Sequence, residues 1–357
     1  MKILSLLSIL LISLFANATI RTVSNLPSTL AQFNTIQAAI DASISGDTVY
    51  VHGSPVAYTA FTITNKQLVI IGPGWSPNKN LPFTAVVPGL TITGAASSNT
   101  ELQGLVINST VSINSNHPDN LRFIRNQFQT LTLSINQGST TYIGYLFEGN
   151  FFDNAQVAGT PSTTYQNFLF QNNDFYESGI AVNANIGGFT NSLNVLFNHN
   201  LWYGPAAASR DCFSSNCQFL LITNNIFVRR NAATSNSTST FNNNITFNAV
   251  NNTPWASNGN TDAGGNVANL DPQMVAQASV NAGTNNPLLD FTIAAGPANN
   301  SGSDGKDMGL LYDVIGSLNW TTSRSSRLPF IFSMNITNPT IPVNGTLNVV
   351  VEARKNN

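Results

Sequence analysis

The chain has 357 residues, room for one large solenoid or two domains, and only 8% of them are charged, for a net charge of −2. No basic patch points to nucleic acid, and there is no acidic tail. Asn, Ser and Thr supply the polar surface instead, which suits stacked β-coils, where columns of like charge would repel.

Residues 1–18 read as a secretory signal peptide: Lys2, an apolar run from Ile3 to Phe15, then Ala16-Asn17-Ala18 as a small-x-small cleavage site. The run is too short for a membrane span, and no later apolar stretch is long enough for one. Cleavage near Ala18 would leave an exported chain, on the cell surface or outside the cell, and we expect a monomer. In an oxidising compartment Cys212 and Cys217, which enclose Phe-Ser-Ser-Asn, are expected to pair as a disulfide.

The next segment predicts a short helix over about 34–45, capped by Asn34 or Thr35, with Ile36, Ala39, Ile40 and Ile44 on one face. Gly46-Asp47 then turns the chain into a strand at 48–51. Thr35, Ile36, Gln37, Ala39, Ile40, Gly46, Asp47, Thr48, Val49 and Val51 match the pattern T-I-Q-x-A-I-x-x-A-x-x-G-D-x-I-x-V. Lys66, Leu68, Ile70 and Gly72 match a later K-x-L-x-I-x-G. The segment resembles the N-terminal cap of the pectin-lyase-like superfamily, secreted right-handed parallel β-helices. It departs from that pattern at His52-Gly53-Ser54-Pro55, where the family often has Pro-Gly-x-Tyr. The resemblance implies a helix that covers the open end of a solenoid, which would otherwise expose strand edges and core.

After two irregular coils over 72–120, a phrase returns along residues 121–247. Its fixed point is Asn126, Asn150, Asn173, Asn200, Asn225 and Asn244, with steps by subtraction of 24, 23, 27, 25 and 19 residues. Gly104 fits as an earlier rung. A period of this size marks a solenoid whose repeats are stable only when stacked, and the β-branched and aromatic content is that of strands. We therefore expect an all-β, right-handed parallel β-helix over 19–313, most regular over about 100–250.

Three places before each Asn stand Phe123, Phe147, Phe170, Phe197, Ile222 and Phe241; two after it stand Phe128, Phe152, Phe175, Trp202 and Phe227. Successive coils lie about 4.8 Å apart, so these are core columns, and the Asn column is a structural ladder. Four places before the Asn, Leu146, Leu169, Leu196 and Leu221 point outward and need a cover.

Beyond 248 the phrase stops. Gly302-Ser303-Asp304-Gly305-Lys306-Asp307-Met308-Gly309 resembles the G-x-D-G-x-D-x-G segment that ends the last coil of many bacterial secreted β-helix proteins. Asp304 and Asp307 offer a calcium reading, although the EF-hand spacing is absent; no cofactor and no metal centre is otherwise indicated. Residues 314–357 form an appendage in which 330–353 read as a β-hairpin. It is expected either to fold back on the leucine column or to cap the end of the solenoid.

Enzymes of the resembled superfamily work in a groove outside the coils. The local signatures of its pectate lyases, polygalacturonases and esterases are absent from this chain. Two polar groups remain. Asp153 and Glu177 fall on adjacent coils, flanked by Tyr176 and Tyr203 with Arg229 beyond, and paired carboxylates beside aromatic rings suit acid–base chemistry on a glycan. The plainer reading is solvated turn residues. Arg122, Arg125, Glu148, Asn198 and His199 form the second group, with Arg125 and Glu148 a surface pair worth little. The leading expectation is a polysaccharide-interacting solenoid without established catalysis. The alternatives are a polysaccharide lyase or glycoside hydrolase, with Asp153 and Glu177 catalytic, and a purely structural or adhesive solenoid.

Overall fold

In the computed structural model, the described residues are 18–76, 81–114, 116, 118–135, 141–179, 184–205, 211–214, 216–232, 238–311, 329–336 and 345–355. The signal-peptide expectation for 1–18 and the appendage boundary at 313/314 thus fall almost wholly outside them. The chain winds about nine turns as a right-handed parallel β-helix.

Three long parallel sheets run the length of the solenoid. The first has eleven strands, from Ile20–Val23 to Thr261–Asp262. The second has eight, from Val86–Val87 to Ile245–Phe247, and the third has seven, from Phe61–Thr64 to Asp211–Phe213. A fourth, short sheet joins Thr141–Ile143, Thr164–Gln166 and Asn191–Leu193 in three successive coils.

Register follows the repeat. Phe123, Phe147, Phe170 and Phe197 pair rung to rung, as do Phe128, Phe152, Phe175, Trp202 and Phe227. Their rings stack with centroids 4.4 to 4.9 Å apart. Fully buried aromatics on this scale supply most of the burial free energy. Where the second column fails, Thr246 is buried and its hydroxyl donates to the carbonyl of Asn252 at 2.8 Å.

The asparagine ladder is continuous, and each side chain works in two directions. Oδ1 of Asn173 accepts from the backbone N–H of Asn150 at 2.9 Å, while its amide donates to the Phe147 carbonyl at 2.9 Å. The donation runs to the preceding rung. Asn266 extends the ladder by one more step, accepting from the Asn244 N–H at 3.0 Å.

The residue just before each ladder Asn is left-handed: Arg125, Gly149, Asn172, His199, Asn224 and Asn243 all have φ between 50° and 63°. This corner carries the chain from the first sheet to the second. Asn and Gly tolerate it best, which accounts for the Asn-Asn doublets.

Both ends of the core are closed. Helix α1, Ile36–Ala42, is capped by Thr35, whose hydroxyl accepts from the Ala38 N–H at 3.2 Å. It buries Ile36, Ala39 and Ile40 on the first coils; Ile44, expected on the same face, lies beyond the helix and is 61% exposed. Lys66 donates to the carbonyls of Ile40 and Asp41 at 2.9 and 3.0 Å, a cation at the helix C-terminus. Asp47 accepts from the Thr19 and Ile44 N–H groups and from Arg21. At the other end Trp255 covers Phe241, ring centroids 6.4 Å apart.

From there the chain departs from expectation. Val267 still bridges Ile245 as a further rung of the second sheet, but residues 302–309 do not end the last coil: from 271 to 311 the chain runs back along the outside of the second sheet. Met274, Val280, Phe291, Ile293, Ala298, Met308 and Leu310 join one buried cluster with Phe151, Tyr176, Leu201, Tyr203 and Ile226. The hairpin forms as expected, Pro329–Ile336 antiparallel to Val349–Lys355. Neither expected placement is seen for its second strand: Val349, Val350 and Val351 are exposed, as is Leu347 just before it.

Candidate functional site

Two outer faces carry the residues singled out from the sequence. On the second sheet, strand alternation turns Phe152, Phe175 and Trp202 inward, so Asp153, Tyr176 and Tyr203 stack outward in register. Tyr176 and Tyr203 meet edge to face at 5.3 Å. Glu177 follows Tyr176 and is 1% exposed; its Oε1 accepts from the Gly179 N–H at 2.8 Å. The structure therefore brings Asp153, Glu177, Tyr176 and Tyr203 together, as their spacing predicts.

It also covers them. Helix α2, Gln277–Ala282, and the segment to Phe291 lie on this face as a strap. Asn285 donates to Asp153 Oδ1 at 3.0 Å, and the Tyr176 hydroxyl donates to the Gly283 carbonyl at 3.1 Å. The guanidinium of Arg229 donates to the Asn281 carbonyl, and Phe291 packs on Tyr203 with centroids 5.9 Å apart. Burial pushes the Asp153 carboxyl above its usual range, against the hydrogen bonds from Asn285 and Asn154, with Glu177 adding to the rise.

A third carboxyl in this cluster was missed. Asp174 is 0% exposed, and among the described residues neither of its oxygens has a hydrogen-bond partner. Burial, reinforced by the neighbouring Asp153, holds its pKa well above the ordinary value. The signal was present in the repeat. Asp174 stands in register with Phe151, Leu201, Ile226 and Ile245, the one carboxyl of a mostly apolar column whose other polar member is Gln127.

The second group divides. Arg122 pairs with Glu101 at 3.1 Å. Arg125 and Glu148 are not a surface pair: both are buried, and burial lowers Arg125 to about 10 while raising Glu148. Glu148 accepts from Gln171 at 3.0 Å. His199 sits on the left-handed corner, fully buried, with Nε2 3.1 Å from Asp304 Oδ2. It is thereby separated from the Arg122 neighbourhood and belongs to the clamp that holds the C-terminal segment. That clamp continues on the same corner: Asn224 accepts from the Ser303 N–H at 2.7 Å, and Asn172 bonds Leu311 in both directions. Asp304 Oδ1 accepts from the Lys306 N–H and Asp307 from the Asn300 N–H, so both carboxylates considered for calcium are engaged within the fold.

The first sheet offers the open face. Leu146, Leu169, Leu196 and Leu221 are in register and half-buried. Beside them runs a polar column of Glu148, Gln171, Asn198, Thr223 and Asn242. Leu193 and Phe219 extend the apolar side at the corner, each more than half exposed.

Cys212 and Cys217 are two free, buried thiols rather than the expected disulfide. Both belong to the main core cluster, Cys212 on strand Asp211–Phe213 and Cys217 with its thiol 3.6 Å from the Ile186 carbonyl.

The fold and these faces define a parallel β-solenoid with one outer face open and one closed by its own chain. No family model matches the sequence, and no curated protein matches it.

Proposed function

We propose that this chain is an exported solenoid that binds polysaccharide along the outer face of its first sheet. The observation that carries the reading is the paired columns, Leu146, Leu169, Leu196 and Leu221 beside Glu148, Gln171, Asn198 and Thr223. Their repeat, about 4.8 Å, is close to the length of one extended sugar residue. A glycan laid along the solenoid axis would meet a leucine and a polar side chain at each rung from Leu169 to Leu221, with Glu148 buried at the rung before. Leucines receive the C–H faces of sugar rings, and the amides exchange hydrogen bonds with hydroxyls. Export rests on the N-terminal eighteen residues.

A second reading is a lyase or glycoside hydrolase that uses Asp153 and Glu177 as its acid–base pair. The juxtaposition of Asp153 and Asp174, both raised by burial, favours it, because a carboxyl so raised can act as a general acid, with Glu177 beside them as a second carboxyl. That face is covered by the strap, so the binding reading leads.

The test is co-sedimentation with insoluble polysaccharides and a glycan array, wild type against the double variant Leu169→Asp, Leu196→Asp. Binding lost in the double variant, with melting retained, supports the leucine face. Binding retained moves the site elsewhere, and wild type that binds no glycan leaves a structural or adhesive solenoid. Release of reducing ends or unsaturated uronates would establish the enzymatic reading.

A further inference from the structure

Asp174 is a carboxyl stacked between Phe151 and Leu201, fully buried, with both oxygens unpartnered among the described residues. Its neighbours are the wrong kind to stabilise a charge. Asp153 is itself a carboxyl, with Glu177 and Tyr176 beside it, and Tyr203 is a phenol. The strap above supplies no titratable side chain over 277–289; Asp290 turns its carboxylate to the Thr292 N–H and hydroxyl. The cations of the next coil are spoken for, Arg229 by the Asn281 carbonyl and Arg230 by Asn185 at 3.0 Å.

The strap is held by the apolar packing of Val280 and Phe291 on Tyr176 and Tyr203, and by polar ties that include Asn285 to Asp153, Tyr176 to the Gly283 carbonyl and Arg229 to the Asn281 carbonyl. Gly283 makes the approach possible: at φ +67° its backbone lies so near the coil that a Cβ would stand 2.1 Å from Pro205 Cα. Whatever moves the strap away hydrates Asp174. An ionised, unpartnered carboxylate in a dry site is costly, and hydration removes that cost.

We propose that residues 277–291 form a proton-locked latch over the second sheet, closed while Asp174 holds its proton and released when the proton leaves to solvent. Release uncovers Asp153, Tyr176, Glu177 and Tyr203 together, whether or not the leucine face binds glycan.

The closed strap keeps a proton that the open strap gives up. Closure is therefore at full strength below the ordinary aspartate value of about 3.9. Above it, closure weakens about tenfold per pH unit until the closed-state value is passed. Asp153, raised in the same direction, adds to the slope.

Hydrogen exchange of 277–291 between pH 5 and 9, with intrinsic rates divided out, reads this directly. Wild type should lose protection across that segment as pH rises, while peptides of 145–153 and 168–176 keep theirs. Asp174→Asn should remove about one tenfold step per pH unit from the slope. An unchanged slope in that variant, or loss of protection through all the coils at once, overturns the latch. Should Asp174→Asn fail to fold, Asp174→Leu, apolar like its column neighbours, must give a strap that stays closed; steep pH-dependent opening in it overturns the proposal. Isotope-edited infrared spectroscopy of wild type near pH 6 must also show a protonated aspartic acid, and its absence is equally fatal.

Discussion

His199 and Asp304 lie 105 residues apart in the chain and meet at 3.1 Å, where the C-terminal segment crosses the corner between the first and second sheets. The imidazole is fully buried and the carboxylate side chain is 41% exposed. Burial holds the imidazole below its usual pKa against the pull of Asp304. Asp304 is also low: burial works the other way, but the Lys306 N–H and His199 outweigh it.

Both shifts are downward, so the contribution of this contact is present above the unfolded values, about 6.5 and 3.9, and is lost as pH falls through the folded ones. Acid should loosen residues 298–311. Hydrogen exchange of that segment from pH 7 to pH 4 is expected to rise, and His199→Ala should bring the neutral-pH value up toward the acid one. This is the opposite sense to the strap at 277–291, which alkali loosens, so the two segments report separately on one chain.

The ladder predicts a stability loss without a functional one. Asn173→Ala removes the acceptor of the Asn150 N–H and one donor to the Phe147 carbonyl inside the solenoid. A cost of about 1–3 kcal/mol is expected, read as a lower melting temperature, with glycan binding by the folded protein unchanged. An unshifted melting curve would show that the amide column is replaceable.

Gly283→Ala tests the strap at constant pH. The left-handed φ alone costs a non-glycine residue about 1–2 kcal/mol, and the added Cβ collides with Pro205. Residues 277–291 should exchange freely and the uncovered second sheet should bind a hydrophobic dye, while the aromatic core melts cooperatively. A variant that behaves as wild type would mean the strap can shift along the face.

The thiols give a chemical test. Burial raises Cys212 to about 12 and raises Cys217 as well. A thiol reagent should therefore be excluded from the native protein and should titrate two groups after denaturation. Fewer than two would show that the pair oxidises after all.

The coils were legible in the sequence because their physics is local and repeated. A rung of strand, corner and strand sets which residues face inward, and stacking carries that choice to the next rung. Phe147 and Phe170 therefore predict Phe197, and Asn150 predicts Asn173. The cap helix was legible for the same reason, since Thr35, Ile36 and Ile40 act within two turns of one another. Even Asp174 was readable as an exception to its own column, although the period drew attention to Asp153 and Glu177 instead.

What the tertiary structure alone decided involves segments that share no period. Asn285 meets Asp153 across 132 residues, and Leu311 meets Asn172 across 139. Neither partner carries a repeat that announces the other. Residues 271–311 could have capped the last coil; they run back over the second sheet because Leu201, Ile226 and Tyr203 present an apolar face there and Trp255 already covers the end. That return path turns a set of turn residues into a buried acidic cluster. Burial is a property of what lies on top, and the sequence of a strand does not contain its own cover.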